Sequence, residues 1–144
     1  MLVAYTVALD LIRALRPVVA ELRKYSADAA DQVERAASSI VLNIAEGDRR
    51  SGRDPQRFFA MANGSAGEIV GALDLADAWG WKIDSEPARA LLDREQRLLW
   101  GLTRRGRSKS THADRLMGDL KRQSRDRAEE QPAAKRAEIP SGHG

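Results

Sequence analysis

The sequence predicts an all-α protein, an antiparallel up-down four-helix bundle. Three observations predict it. The chain is 42% hydrophobic and 31% charged but only 5% aromatic, and it is rich in Leu, Ala, Arg and Glu, all good helix formers. A β-sandwich would alternate β-branched and aromatic residues with a period of two. Apolar residues instead recur three and four apart through four successive stretches. The connections between those stretches are short, which makes neighbours antiparallel. At 144 residues a single folded domain is expected: residues 1–105 form the bundle, and 106–144 form a basic, largely disordered C-terminal tail.

The first helix spans about Val3 to Tyr25, with Val7, Leu11, Leu15, Val18, Leu22 and Tyr25 on one stripe, widened by Ala8, Ile12 and Val19. Pro17 removes a backbone donor and is expected to kink or split it near Arg16. Ser26 or Asp28 caps the second helix, whose apolar seam is Val33, Ala37, Ile40 and Ile44. Gly47 follows the last periodic residues and reads as the left-handed residue that ends it. Asp54-Pro55 is a strong helix start. The third helix then buries Phe58, Ala62, Ser65, Ile69, Leu73 and Ala76, while Gly64, Gly67 and Gly71 share a neighbouring face. Each of these glycines costs about 1 kcal/mol of helix propensity relative to Ala, so a second backbone is expected close by. Gly80 ends this helix, with Trp79 and Trp81 covering one end of the bundle. Ser85 caps a fourth helix to about Arg105, faced by Ala88, Leu91, Leu92, Leu98, Leu99 and Leu102, with Trp100 off the stripe. In the tail only Leu116, Met117 and Leu120 have anything to bury, as one short helix at most.

Several function classes drop out. There is no Cys, hence no disulfide and no thiolate metal site. Both histidines, His112 and His143, lie in the tail, so the bundle has no imidazole for general-base work and no Glu-x-x-His pair for a carboxylate-bridged metal centre. No nucleotide-cradling glycine motif occurs, and the serines have no base to activate them. No cofactor, no metal and no enzymatic activity are expected. No apolar run reaches membrane-spanning length, and the first residues lack a secretory pattern. A soluble, cytoplasmic, bacterial-type protein follows.

Two leads remain. Ser39 and Asn43 share one face of the second helix, and Ser65 and Glu68 one face of the third. Together with Arg35 they are expected to form an interhelical hydrogen-bond network that fixes register. The other lead is charge. Net charge is only +3, but Arg49, Arg50, Arg53 and Arg57 crowd the loop between helices two and three. Arg104, Arg105, Arg107 and Lys109 follow helix four. An up-down bundle places both groups at one end, a footprint for a phosphate backbone. No aromatic residue interleaves with these cations, so base stacking is not expected. A bundle this small is marginal alone, and the glycine face and Trp100 are candidate contacts between subunits.

Gln32, Arg35-Ala36-Ala37, Ser39-Ile40 and the run Asn43-Ile44-Ala45-Glu46-Gly47 resemble the signature of the 23S rRNA intervening-sequence protein family. Phe58, Ala62, Ser65 and Glu68 continue the pattern, and the resemblance covers about residues 5–105. Val41 stands where many relatives carry Pro, and the connection before helix two lacks the usual proline-led turn. The resemblance implies a four-helix bundle assembling into a ring, commonly a homopentamer, without known enzymatic activity. A related branch, the accessory variability protein of diversity-generating retroelements, implies nucleic-acid binding (RNA or DNA) and a reverse transcriptase partner. The expected function is therefore a non-catalytic bundle that oligomerises and binds nucleic acid through its arginines. The alternative is a protein-interaction scaffold without nucleic-acid binding.

Overall fold

The computed structural model describes residues 2–50 and 54–129, with the backbone alone at 106–114 and 126–129. It is a helical bundle of α1 (Val3–Tyr25), α2 (Ala27–Arg49), α3 (Pro55–Trp79) and α4 (Glu86–Glu129), with no strand among the described residues. The bundle is the unit Met1–Ser108; from Lys109 onward the chain belongs to a second unit.

The stripe on α1 packs as its spacing dictates. Val7, Leu11, Leu15, Val18 and Leu22 are buried together with Ala4 and Ala8. The helix runs unbroken through Pro17, against the expected split. Pro17 itself is exposed, while Leu15 and Val18 on either side are buried in the core, so packing holds the turn that loses one backbone bond. Tyr25 is half exposed and stacks on Trp81, with ring centroids 5.5 Å apart.

Of the two candidate caps for α2, Ser26 serves: its backbone is extended and its hydroxyl accepts the Ala29 N–H at 3.1 Å. Gly47 does not end the helix, which continues to Arg49. It is buried, and a Cβ built there would lie 2.8 Å from Phe59 Cε1 and 3.2 Å from Phe58 Cβ. The glycine is present because the first turn of α3 rests against it.

In α3 the buried aromatic is Phe59, and Phe58 is only half buried. Asp54 precedes Pro55 but makes no capping bond. Ala62, Ser65, Ala66, Ile69, Leu73 and Ala76 complete the inner face. Gly64, Gly67 and Gly71 meet no heavy atom within 4 Å of an added Cβ, so no described segment passes close to them, contrary to expectation. They share the exposed side of α3 with Met61 and Leu75. Gly80 ends the helix at φ 76°, and its N–H and that of Trp81 close onto Asp77 and Ala76. Trp81 packs on the core, whereas Trp79 is exposed.

The Ser85 carbonyl accepts the Arg89 N–H at 2.8 Å and opens α4. Arg89 then ties α4 to α3. Its guanidinium donates to Asp74 at 2.9 Å and Asp77 at 2.8 Å, and its Nε donates to the Ser85 hydroxyl at 3.2 Å. Ala88, Leu92 and Leu99 are buried, with Leu91, Leu98 and Leu102 packed partly against them. The helix does not stop at Arg105 but extends to Glu129. Adding residues to an existing helix needs no new nucleus, and the stretch contains good helix formers and no proline. Leu116, Met117 and Leu120 are exposed on it.

α2 approaches both α1 and α3 closely; α4 stands further off. A cleft of about 290 Å³ separates Leu2–Ala4 from the Arg97–Arg105 stretch, and another of about 190 Å³ lies between Val70 and the Arg89–Gln96 stretch.

Candidate nucleic-acid interface

The polar seam comes first because it fixes what lies around it. Asn43 Nδ2 donates to the Ser39 carbonyl at 2.9 Å and to the Ser39 hydroxyl at 3.0 Å. The Ser65 hydroxyl donates across to Ser39 Oγ at 2.9 Å. This places α2 and α3 in one register, since a shift by a turn would strand a buried hydroxyl. Arg35 and Glu68 lie outside the seam: both are exposed and bond to none of the described residues. Glu46 has a different task. It accepts from Arg49 at 2.7 Å and Arg50 at 2.9 Å, and these bonds, that from Arg50 foremost, hold its carboxyl below the usual carboxylate range.

The eight cations therefore differ in kind. Arg49 and Arg50 share Glu46; Arg50 also reaches Asp54 at 3.4 Å and lies over the Phe58 ring at 5.0 Å. Arg57 and Arg105 are exposed and pair with no carboxylate among the described residues; Arg105 borders the cleft against Leu2–Ala4. Arg104 is exposed and lies over the Trp100 ring at 5.8 Å. Aromatic residues thus do interleave with the basic segments, against expectation. Arg53 and the side chains of Arg107 and Lys109 fall outside the described residues. Arg107 and Lys109 both lie within α4, and Lys109 opens the second unit.

Sequence reasoning missed one group altogether. Glu95 is fully buried on the inner face of α4, and neither carboxylate oxygen has a partner. Burial pushes its pKa up to about 8, with Arg94 pulling weakly the other way. At neutral pH this side chain is an uncharged acid. Asn63 Oδ1 is likewise buried without a partner. The signal for Glu95 was a gap in a pattern, since position 95 falls three after Leu92 and four before Leu99.

A cleft of about 640 Å³ lies between α1 and α2 over Leu15, Val19, Val33 and Ala37. Its rim residue Arg23 is tied to Asp31 at 2.9 Å and Glu34 at 3.2 Å, which raises the Arg23 pKa, the bond to Asp31 foremost. Ser38 and Glu34 both line it, but Glu34 accepts from Arg23 and no hydrogen bond joins it to Ser38. Among the described residues no group of three or more acids or histidines could hold a metal ion, and no helix is long and apolar enough to cross a membrane.

The seam lies within a family match: the family model of the 23S rRNA-intervening sequence protein matches residues 2–101. The chain belongs to that family. None of the curated proteins matches it. As a 23S rRNA-intervening sequence family member, the chain carries the family match over the bundle, while α4 beyond residue 101 lies past it. The seam of Ser39, Asn43 and Ser65, the tie of Glu46 and the glycine contact at Gly47 all lie inside the matched region.

Proposed function

We propose that this protein is a non-catalytic bundle that binds the phosphate backbone of RNA or DNA. The observation that carries the reading is the set Arg57, Arg104 and Arg105: exposed cations on rigid helices with no carboxylate partner among the described residues. A helix-borne guanidinium without an internal partner is free to meet phosphate oxygens bidentately. Arg49, Arg50, Arg53 and Arg107 extend the same footprint in an up-down arrangement, with the α2–α3 connection and the end of the bundle part of α4 at one end; Lys109, in the second unit, is a further candidate cation. The open side of α3 at Gly64, Gly67 and Gly71 supports assembly into a ring, a homopentamer in this reading, which would repeat the footprint around an axis. The family's tie to rRNA intervening sequences makes RNA the first ligand to test, in the cytoplasm, with a reverse transcriptase as a candidate partner.

The test is fluorescence anisotropy with labelled RNA over a salt series. Affinity should fall linearly on a log-log plot as counterions are released, and the triple variant Arg57→Ala/Arg104→Ala/Arg105→Ala should reduce that slope by about three. Salt-independent binding, or none at low ionic strength, would sink the reading. The second reading, an interaction scaffold, draws support from Glu46, which already occupies Arg49 and Arg50. Under it the triple variant keeps its protein partner.

A further inference from the structure

The outer face of α4 carries a pattern that phosphate binding alone does not use. Arg97, Trp100 and Arg104 follow one another at spacings of three and four, so they form a single stripe along the helix. Arg107 occupies the next register position of that stripe. Trp100 is 54% exposed although it is the largest side chain type available, and the guanidinium of Arg104 lies over its ring at 5.8 Å. Among the described residues Arg97 pairs with Asp93 alone, at 3.0 Å, and both side chains are more than two-thirds exposed, so a phosphate displaces that pair at little cost. Along the axis Arg97 and Arg104 stand roughly 10 Å apart, on either side of the indole.

We propose that this stripe is a stacking site for single-stranded nucleic acid: an unpaired base lies on the Trp100 indole, and the phosphates flanking it meet Arg97 and Arg104. An exposed indole between two cations suits a chain that alternates flat apolar rings with anions. Duplex bases are already stacked on one another and offer no free face. A second copy docking through the same stripe would set arginine against arginine, which is unfavourable. The inference rests on the nucleic-acid reading above and narrows it to single strands.

The experiment uses the full chain with a fluorescein-labelled, unstructured uridine-rich RNA and with its duplex, at low ionic strength. Trp100→Ala should weaken single-strand binding about tenfold and leave duplex binding unchanged, and Trp100→Phe should restore most of the loss. Equal, salt-dependent binding of both RNAs by the parent chain and by Trp100→Ala overturns the stacking site and leaves backbone binding standing. A change of mass by light scattering in Trp100→Ala assigns the indole to a contact between copies and also overturns it. Absence of salt-dependent binding to either RNA removes the reading on which the stripe depends.

Discussion

The Ser39–Asn43–Ser65 seam of the α2–α3 hairpin and the inner face of α4 handle their polar groups in opposite ways, although Asn63 Oδ1 on α3 is also buried without a partner among the described residues. In the hairpin the seam hydroxyls and amide bond to one another, and Glu46 and Asp54 hold the arginines nearest the connection. In α4 a buried acid has no partner among the described residues, and Arg104 and Arg105 pair with no described carboxylate. Helix spacing follows the same division, since α2 and α3 lie close while α4 stands off with clefts beside it. A satisfied polar network resists change and specifies geometry. An unsatisfied one leaves groups for pH or a ligand to act upon. The hairpin is thus the part that fixes the fold, and α4 the part that can respond.

The contrast can be broken most forcefully at Gly47. Gly47→Val drives two methyl groups into Phe59 and should cost about 3 kcal/mol, read as a large drop in melting temperature; a melting temperature within a degree of the parent would deny the close approach. Next in size is Glu95→Gln. The folded pKa of Glu95, about 8, lies above the ordinary value of 4.5. Its contribution is therefore fully present below pH 4.5, declines as pH rises, and is lost once pH passes 8. The parent should lose stability across that window. Glu95→Gln should flatten the decline and be more stable at pH 7.5 by on the order of 2 kcal/mol. Parallel pH profiles for the two would mean the acid is not buried. Ser39→Ala leaves Ser65 without its acceptor and Asn43 with one bond fewer, at about 1–2 kcal/mol by denaturant titration; an unchanged midpoint would make the seam incidental. The smallest effect on stability belongs to Glu46→Gln, a denaturant midpoint close to the parent's, because surface ion pairs contribute little. Its value lies in binding, because releasing Arg49 and Arg50 should tighten RNA about threefold at low salt. Unaltered affinity would place Arg49 and Arg50 outside the interface.

Much of this fold was legible because helix periodicity is a local signal. The buried stripe of α1 and the helix end at Gly80 follow from residue type and spacing alone, whereas spacing left Ser26 and Asp28 as alternative caps and only the structure selects Ser26. Gly47 was misread for a physical reason: a glycine near a helix end signals a left-handed turn and a close approach equally, and only the position of Phe59 distinguishes them. Gly64, Gly67 and Gly71 show the converse, with a neighbour expected and none found among the described residues. For the site, spacing put Ser39 and Asn43 on one face and charge drew attention to the arginines. It did not reveal that Glu46 and Asp54 would occupy two of them, since ion pairing depends on rotamers. Arg104 over Trp100 was readable as an i, i+4 pair but was passed over because the aromatic lay outside the basic run.

Glu95 also alters the protein's charge as a folded object. Its formula gives +3 at neutral pH with every acid ionised, yet a carboxyl that titrates near 8 keeps its proton there, so the native chain carries close to one positive charge more. Unfolding at pH 7 exposes that acid to water and releases nearly one proton into the medium. Calorimetric unfolding enthalpies measured in phosphate and in Tris should then differ by almost the full difference in the two buffers' heats of ionisation, and in Glu95→Gln that difference should vanish.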